Sequence, residues 1–459
     1  MQSESGMNKK ESEPADFNRR DFLRGGSATL MTLLGGVPLF AQSTTNAPAE
    51  SKPAGPKIKV AVIGLGLWGR EILSTLGRLP QAEVAAVCDT YAASLRRAGN
   101  AAPGATQTAD YKTILDNKDI KAVVIATPTH QHKDIAVAAL KAGKHVYCEA
   151  PLANTMEDAR EIAKSAKSFP KQIFQAGFQL RADPERNYVF PFLRSGAIGK
   201  AVLARAQWHK KESWRAASAN PEHEKELNWR LSKETSIGLA GEIGAHQIDQ
   251  TSWYLSAQPV SAIGFGTIAL WKDGRDVPDT VQAVIEYPDN VRLMYDATLA
   301  DSFEAEYEVY YGTFAAIMVR EDRAWIFKEV DSPMLGWEVY GKKEAFHAET
   351  GYVLTADATK TTSLGTGSTD TAPTNTPLFY SLQTFLANSN DLTAAIEDFI
   401  ASYGADDPNA LVEQISKMPR KAAAGYLEGF RATVTAIKVN EAIVTGQRIV
   451  FKPEWFELS

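Results

Sequence analysis

The run Lys59-Val60-Ala61-Val62-Ile63 passes directly into Gly64-Leu65-Gly66-Leu67-Trp68-Gly69, and a helical pattern follows over 70–79. A β-branched strand, a glycine-rich turn and a helix in that order restrict the chain more than any other feature, because together they open a βαβ unit. Each glycine has its own task. Gly64 permits the sharp turn, Gly66 lets the backbone approach a pyrophosphate, and Gly69 permits close packing of helix on strand. The helix N-terminus adds free N–H groups that favour a phosphate. Asp89 stands 20 residues beyond Gly69, at the tip of the next predicted strand, 83–88. A carboxylate there accepts hydrogen bonds from an adenosine ribose and repels a 2′-phosphate, so the expected cofactor is NAD rather than NADP.

Two further predicted strands end in polar tips. Residues 122–126 lead to Thr127-Pro128-Thr129-His130-Gln131-His132, and 145–148 lead to Glu149-Ala150-Pro151. Strands alternating with helices make a parallel sheet covered on both faces, and such a sheet binds ligands at the carboxyl ends of its strands. Thr127, Pro128, His130, His132, Glu149 and Pro151 are therefore expected to line the nicotinamide half of the cleft. Beyond about residue 180 the texture changes. Residues 202–209, 260–271, 280–287 and 291–299 are β-type stretches in succession, which predict a large, mostly antiparallel open sheet in a C-terminal α+β domain. Residues 355–376, rich in Thr, Ser and Gly, read as a surface excursion, and 380–446 as helical with a stop at Gly446. The expected division is an N-terminal Rossmann domain over 57–180 and a substrate domain over 181–459.

Ahead of the first strand, Asn18-Arg19-Arg20-Asp21-Phe22-Leu23-Arg24 precedes a moderately apolar run over 28–40. Paired arginines followed by Phe-Leu read as a twin-arginine export signal over 1–41, and the Pro/Ala/Ser/Thr stretch 42–56 as a flexible linker. The apolar run is broken by Gly35, Gly36 and Pro38 and is too short to span a bilayer. A periplasmic protein with no membrane span is the expectation. At a net charge of −6 the chain has no basic surplus to neutralise a nucleic-acid backbone. No metal-ligand spacing surrounds Cys88 or Cys148, the two cysteines, so no metal is expected. An open sheet commonly packs against a second copy, and a dimer or tetramer is expected.

Glu242, His246 and Asp249 fall at i, i+4 and i+7, with Trp253 one turn further. On a continuous helix they share one face. A carboxylate one turn from an imidazole can orient it and raise its pKa, which suits a base that takes the proton of a carbinol. The same spacing also fits a helix-surface ion pair or a core histidine. Asp249, on that face, is an expected substrate contact.

The Gly64 turn, the Thr127 and Glu149 segments, Gly177-Phe178-Gln179 and the segment from Gly241 through Glu242 and His246 to Asp249 together resemble the glucose-fructose oxidoreductase, inositol dehydrogenase and MocA family. The likeness runs over nearly everything from Lys57 to Trp455. The resemblance implies a nicotinamide cofactor at the turn and a sugar, cyclitol or similar polyol on the face of the second sheet. It also adds Gln179, Trp229 and Arg230 to the expected cofactor contacts. The catalytic set it implies is a lysine in a Glu-Lys-Pro segment with an acid and a histidine four residues apart. Glu242 and His246 match the last two, but Ala150 stands where the lysine would be. Another group must then supply a proton or a positive charge. Trp208-His209-Lys210-Lys211, at a predicted strand end, offers His209 and Lys211 on one face and Trp208 and Lys210 on the other.

Folded export and a need for NAD, scarce outside the cytoplasm, imply a cofactor that travels bound and is restored in place. The first reading is a sugar oxidoreductase whose second substrate resets the cofactor. The alternatives are an NAD-dependent glycosidase working by transient oxidation and elimination, and a non-catalytic sugar-binding relative.

Overall fold

The computed structural model describes residues 57–458, apart from 322, 336–337, 339–342, 347–348, 355–374 and 405–406. The expected signal and linker, and nearly all of the expected surface excursion, lie outside the described residues.

Strand β1 (Ile58–Ile63) alternates Val60 and Val62 on one side with Ala61 and Ile63 on the other, all at most 2% exposed. Apolar residues on both faces are what a strand needs when helices cover both sides. The chain continues through α1 (Leu67–Gly77), β2 (Ala82–Cys88), α2 (Ala92–Ala101), β3 (Thr106–Thr108), α3 (Tyr111–Asp116), β4 (Ala122–Ile125), α4 (His132–Lys141), β5 (His145–Cys148), α5 (Met156–Ser168) and β6 (Phe174–Ala176). The strands form one parallel sheet in the order β3-β2-β1-β4-β5-β6. The order turns at β1 and β4, which places the switch point beside the Gly64 turn. Cys88 and Cys148, at the ends of β2 and β5, are free and buried, as small apolar residues.

The domain boundary differs from the expectation. On the β1 face carrying Val60 and Val62, α1 supplies Ile72, Leu73 and Leu76, but Leu378, Leu382, Phe385 and Leu386 share the same core. These belong to a helix of 27 residues, Pro377–Tyr403, near the far end of the chain. The Rossmann sheet therefore borrows a covering helix from the segment assigned to the second domain. The expected helical region 380–446 is three helices, Pro377–Tyr403, Pro408–Lys417 and Tyr426–Thr445. The first break falls after Gly404 (φ +79°) and before Asp407, which caps the second helix by accepting from the N–H groups of Asn409 and Ala410. Gly446, at φ +64°, ends the third where expected.

The second sheet is built on β7 (Ala201–His209), which follows helix α6 (Pro184–Arg194). Ten strands among the described residues pair mostly antiparallel, the exception being β7 with the strand Arg292–Thr298. Helices cover one face. Ala245 and Ile248 from the helix Gly244–Leu255 and Val434 and Val439 from Tyr426–Thr445 share a core with Ala204, Ala206, Leu293 and Tyr295 of the sheet. The strand expected over 260–271 stops at Thr267. The Asp279 carboxylate accepts from the N–H groups of Ala269, Leu270 and Trp271 at 2.7–2.9 Å, which turns those amides away from the ladder.

Candidate functional site

The turn after β1 is held by three glycines that answer to different neighbours. A Cβ on Gly64, at φ +93°, would stand 2.6 Å from the Ala126 carbonyl, and one on Gly69 would stand 1.9 Å from the Gly64 oxygen. Both are fixed by the protein's own packing. A Cβ on Gly66 would meet nothing within 4 Å, and its φ of −62° is open to any residue. The protein's own atoms give no reason for a glycine there, so the reason lies in what approaches the backbone from outside. Gly66 is also the N-cap of α1 and offers no side-chain cap, leaving the first-turn N–H groups for a ligand. Leu67 and Trp68 begin that helix, Leu67 82% exposed. Asp89 anchors the turn as well as facing the expected ribose. Its Oδ2 accepts from the Leu65 N–H at 2.8 Å and its Oδ1 from the Tyr91 N–H at 2.8 Å.

The tips of β4 and β5 stand beside the turn. Trp68 donates from its indole to the Glu149 carboxylate, and burial still pushes that carboxyl up to about 7. Gly177 makes room for it, since a Cβ there would lie 2.6 Å from Glu149 Oε2. Pro128 leads into the 3₁₀ turn Thr129–Gln131, and Pro151 follows Ala150 at the other tip. Five buried polar atoms of these segments and of Gln179 and His246 have no partner among the described residues: Thr127 Oγ1, His130 Nδ1, Glu149 Oε1, Gln179 Oε1 and His246 Nδ1. Buried polar groups are usually satisfied, and five such atoms on segments at or next to the strand ends fit a polar ligand. His132 differs from expectation. It is 1% exposed, and its Nδ1 and Nε2 meet the carbonyl oxygens of Pro151 and Thr127 at 3.0 and 2.9 Å. Burial pushes its pKa down to about 4, so the neutral ring donates to one of them and ties the two tips together rather than contacting ligand.

The expected catalytic face is rearranged. The helix over 242–249 breaks at Ile243 (φ −120°, ψ −56°), so Glu242 ends one short helix, Gly238–Glu242, and His246 lies in the next. Glu242 is not the partner of His246. It is buried, accepts from Thr129 Oγ1 at 2.9 Å and Ser236 Oγ at 3.2 Å, and receives the Ile237 N–H at 3.3 Å. Burial pushes its pKa up, opposed first by the nearby Arg230 charge. Asp249, expected as a substrate contact, forms a bidentate pair with Arg181 at 2.8 and 2.9 Å. His246 sits with its ring centroid 5.5 Å from that of Phe178, and its pKa is pushed down to about 4 by burial, against a weaker upward pull from Asp249. The raised pKa expected from a neighbouring carboxylate is thus overturned: the imidazole is neutral and able to accept a proton.

Trp229 and Arg230 reach the cleft. Trp229 lies 6.2 Å from the His130 ring, and the Arg230 guanidinium stands over Trp229 at 4.6 Å and Trp214 at 5.8 Å. His209 and Lys211 do not join them. Strand β7 ends at His209, so the alternation that would have paired the two stops before Lys211, whose N–H goes to Ser302 Oγ. His209 lies on the face opposite Trp208, which packs in the helix-side core, and its Nε2 is taken by Asp296 Oδ2 at 2.6 Å. Arg181 and Ser236, which hydrogen-bond Asp249 and Glu242, are contacts that sequence reasoning missed, whereas Thr129, the other partner of Glu242, belongs to the polar tip expected to line the cleft. Among the described residues no group of His, Cys, Asp and Glu could hold a metal ion, and no helix is long and apolar enough to cross a membrane.

A glycine turn at a switch point, a carboxylate at the β2 tip and unsatisfied polar atoms at the next two tips define a Rossmann-type dinucleotide-binding protein carrying an open-sheet second domain. The model for an oxidoreductase family with an NAD-binding Rossmann fold matches residues 58–178, and that for the GFO/IDH/MocA C-terminal domain matches residues 191–317. The chain belongs to the GFO/IDH/MocA family. It is 28% identical over 239 residues to a levoglucosan dehydrogenase of Pseudarthrobacter phenanthrenivorans, covering 47% of this chain and 59% of that one. It is 30% identical over 201 residues to an inositol 2-dehydrogenase of Salmonella paratyphi B, covering 43% and 55%. The match thus spans little more than half the length of these relatives. A solved levoglucosan dehydrogenase in complex with NADH and L-sorbose shares the fold with a TM-score of 0.62 at 18% identity, over 86% of this chain and 99% of that one.

Proposed function

We propose that this chain is an exported oxidoreductase that oxidises a CH–OH group of a sugar or polyol, with NAD lying across the Gly64–Gly69 turn and His246 taking the hydroxyl proton. The observation that carries the reading is the convergence of unpartnered Thr127, His130, Glu149, Gln179 and His246 atoms beside a glycine that the protein's own packing does not require. Asp89 at the β2 tip supports NAD over NADP, since a 2′-phosphate would meet its carboxylate. When bound, the nicotinamide supplies the two-electron acceptor.

The chain's own residues then divide the remaining work. His246, kept neutral by its surroundings, accepts the proton released from the substrate hydroxyl. Glu242 positions Thr129, the Ser236 hydroxyl and the Ile237 N–H around the site, and the Arg230 charge acts on it. Arg230, whose charge acts on the buried Glu242, is our candidate, rather than His209 or Lys211, to hold negative charge developing on the substrate oxygen in a chain with Ala150 at the β5 tip. The levoglucosan and inositol dehydrogenase names of the relatives support a sugar or polyol substrate.

Export rests on Arg19-Arg20 and the apolar run behind them. A cofactor carried through the membrane with the folded protein is reset by a second substrate in the same site. Purified protein loaded with NAD and mixed with candidate sugars should develop the absorbance and fluorescence of reduced nicotinamide, which a carbonyl acceptor then removes. No reduction by any sugar or cyclitol, from protein shown to hold NAD, would leave a binding protein rather than an enzyme.

A further inference from the structure

The segment between His209 and Ser236 leaves the second sheet, touches the Rossmann domain at Tyr91, at His130 and, through the Glu234 carbonyl that accepts from the Asn154 amide at 3.1 Å, at the segment after β5, and returns. At one end of its short helix Pro221–Leu227, His223 stacks on Tyr91, with ring centroids 3.7 Å apart and planes 19° apart. Tyr91 follows Asp89 at the β2 tip, the adenosine end of the cleft. At the other end, Trp229 lies against His130 at the β4 tip, and the Thr235 backbone hydrogen-bonds His130. In the sheet order β2 and β4 flank β1. A segment that touches both tips therefore crosses above the turn that follows β1. The lengths agree. Two strand spacings are about 9.6 Å, and a helix of seven residues is about 10 Å long.

The segment is built to keep its shape. The Asn228 amide donates to the Ala216 carbonyl at 2.8 Å and accepts from the Ala216 N–H at 2.9 Å, closing the loop as a strand pair would. Arg215 joins Glu224 at 2.5 Å and the Asp273 carbonyl at 2.9 Å, Asn220 caps the helix, and Ser218 Oγ lies 3.1 Å from His223 Nδ1. Its return arm is fixed by the Asp276 N–H to the Leu231 carbonyl at 3.1 Å and the Lys233 N–H to Asp276 at 2.8 Å. A cavity of about 580 Å³ adjoins the segment, lined by His130 and Gln131 of the β4 tip, by Glu224, Asn228 and Trp229 of the segment and by Gly274 of the second domain.

Resting on the NAD site proposed above, we infer that residues 210–235 form a strap across the bound dinucleotide, and that the Tyr91–His223 stack is the latch that holds it shut. The pyrophosphate then lies under a bridge anchored at both ends, and the dinucleotide leaves only when one anchor lets go. Tyr91, 39% exposed, is the anchor with the least protein around it, so release begins there. The latch gives the Rossmann domain's cofactor a retaining contact from the second domain.

The test measures dissociation. Protein loaded with NADH is mixed with excess NAD⁺, and loss of bound-NADH fluorescence is followed in the wild type, His223→Ala, Tyr91→Ala, the double variant and His223→Phe. An aromatic stack is worth enough to slow release about three- to tenfold. Each alanine variant should therefore release NADH faster by that factor, the double variant no faster than the faster single, and His223→Phe at close to the wild-type rate. Wild-type release from His223→Ala, or a double variant at the product of the two single effects, overturns the latch and leaves the site standing. Wild-type protein that takes up no dinucleotide overturns the site and the latch with it.

Discussion

Gly66→Val should give a folded protein that no longer holds a dinucleotide. A Cβ at this position meets no atom of the described residues within 4 Å and the backbone needs no unusual φ, so the melting temperature of the unliganded protein should change little. Its branched side chain would instead fill the space through which a pyrophosphate approaches the first turn of α1. Losing two charge-assisted hydrogen bonds there amounts to roughly 3–6 kcal/mol, or about 100-fold or more in affinity. Equilibrium titration with NADH, read by fluorescence, checks this directly. Gly69→Ala is the contrasting control. Its Cβ would lie 1.9 Å from the Gly64 oxygen, so its effect falls on the fold, with an expected loss of about 1–3 kcal/mol in denaturant unfolding. If both variants lost stability alike and Gly66→Val kept its affinity, Gly66 would be an ordinary turn glycine.

His246→Asn should lower kcat by about 100- to 10,000-fold, the usual contribution of a positioned base, while leaving NADH affinity within a few-fold of wild type. Asparagine keeps a polar group against Phe178 but accepts no proton at neutral pH. The split matters because His246 lies beside the proposed substrate position while the turn, Asp89 and the strap hold the dinucleotide elsewhere. Steady-state kinetics on the best sugar, together with NADH titration, separates the two. Turnover within twofold of wild type would assign the proton to another group, and equal losses of turnover and cofactor affinity would make His246 a structural residue.

The parts of this architecture that sequence reasoning reached are those written in local steric rules. Gly64 and Gly69 each face a backbone atom that a side chain would strike, and the β-branched runs before them are buried on both faces, so the turn and its parallel sheet were legible. The catalytic face was not, because spacing arithmetic assumes an unbroken helix. Gly241 and Gly244 bracket Ile243, and a Cβ on Gly244 would lie 2.6 Å from the Tyr295 ring, whose hydroxyl donates to the Leu239 carbonyl. Two glycines three residues apart were the available sign of that break. The misplacement of His209 and Lys211 has a different origin. The face of a strand is chosen by partners distant in sequence, here Asp296 across 87 residues, and nothing near His209 announces them. That the helix Pro377–Tyr403 covers the first sheet escaped for the same reason, since the core it shares with Val60 and Leu73 joins residues some three hundred positions apart.

Identifying by mass spectrometry what the purified protein releases on denaturation, after incubation with NAD and NADP together and removal of free nucleotide, tests the central claim most directly. The expected result is close to one NAD per chain with little NADP, abolished by Gly66→Val. Protein that releases neither dinucleotide would contradict the claim, and one that preferred NADP would contradict the part assigned to Asp89.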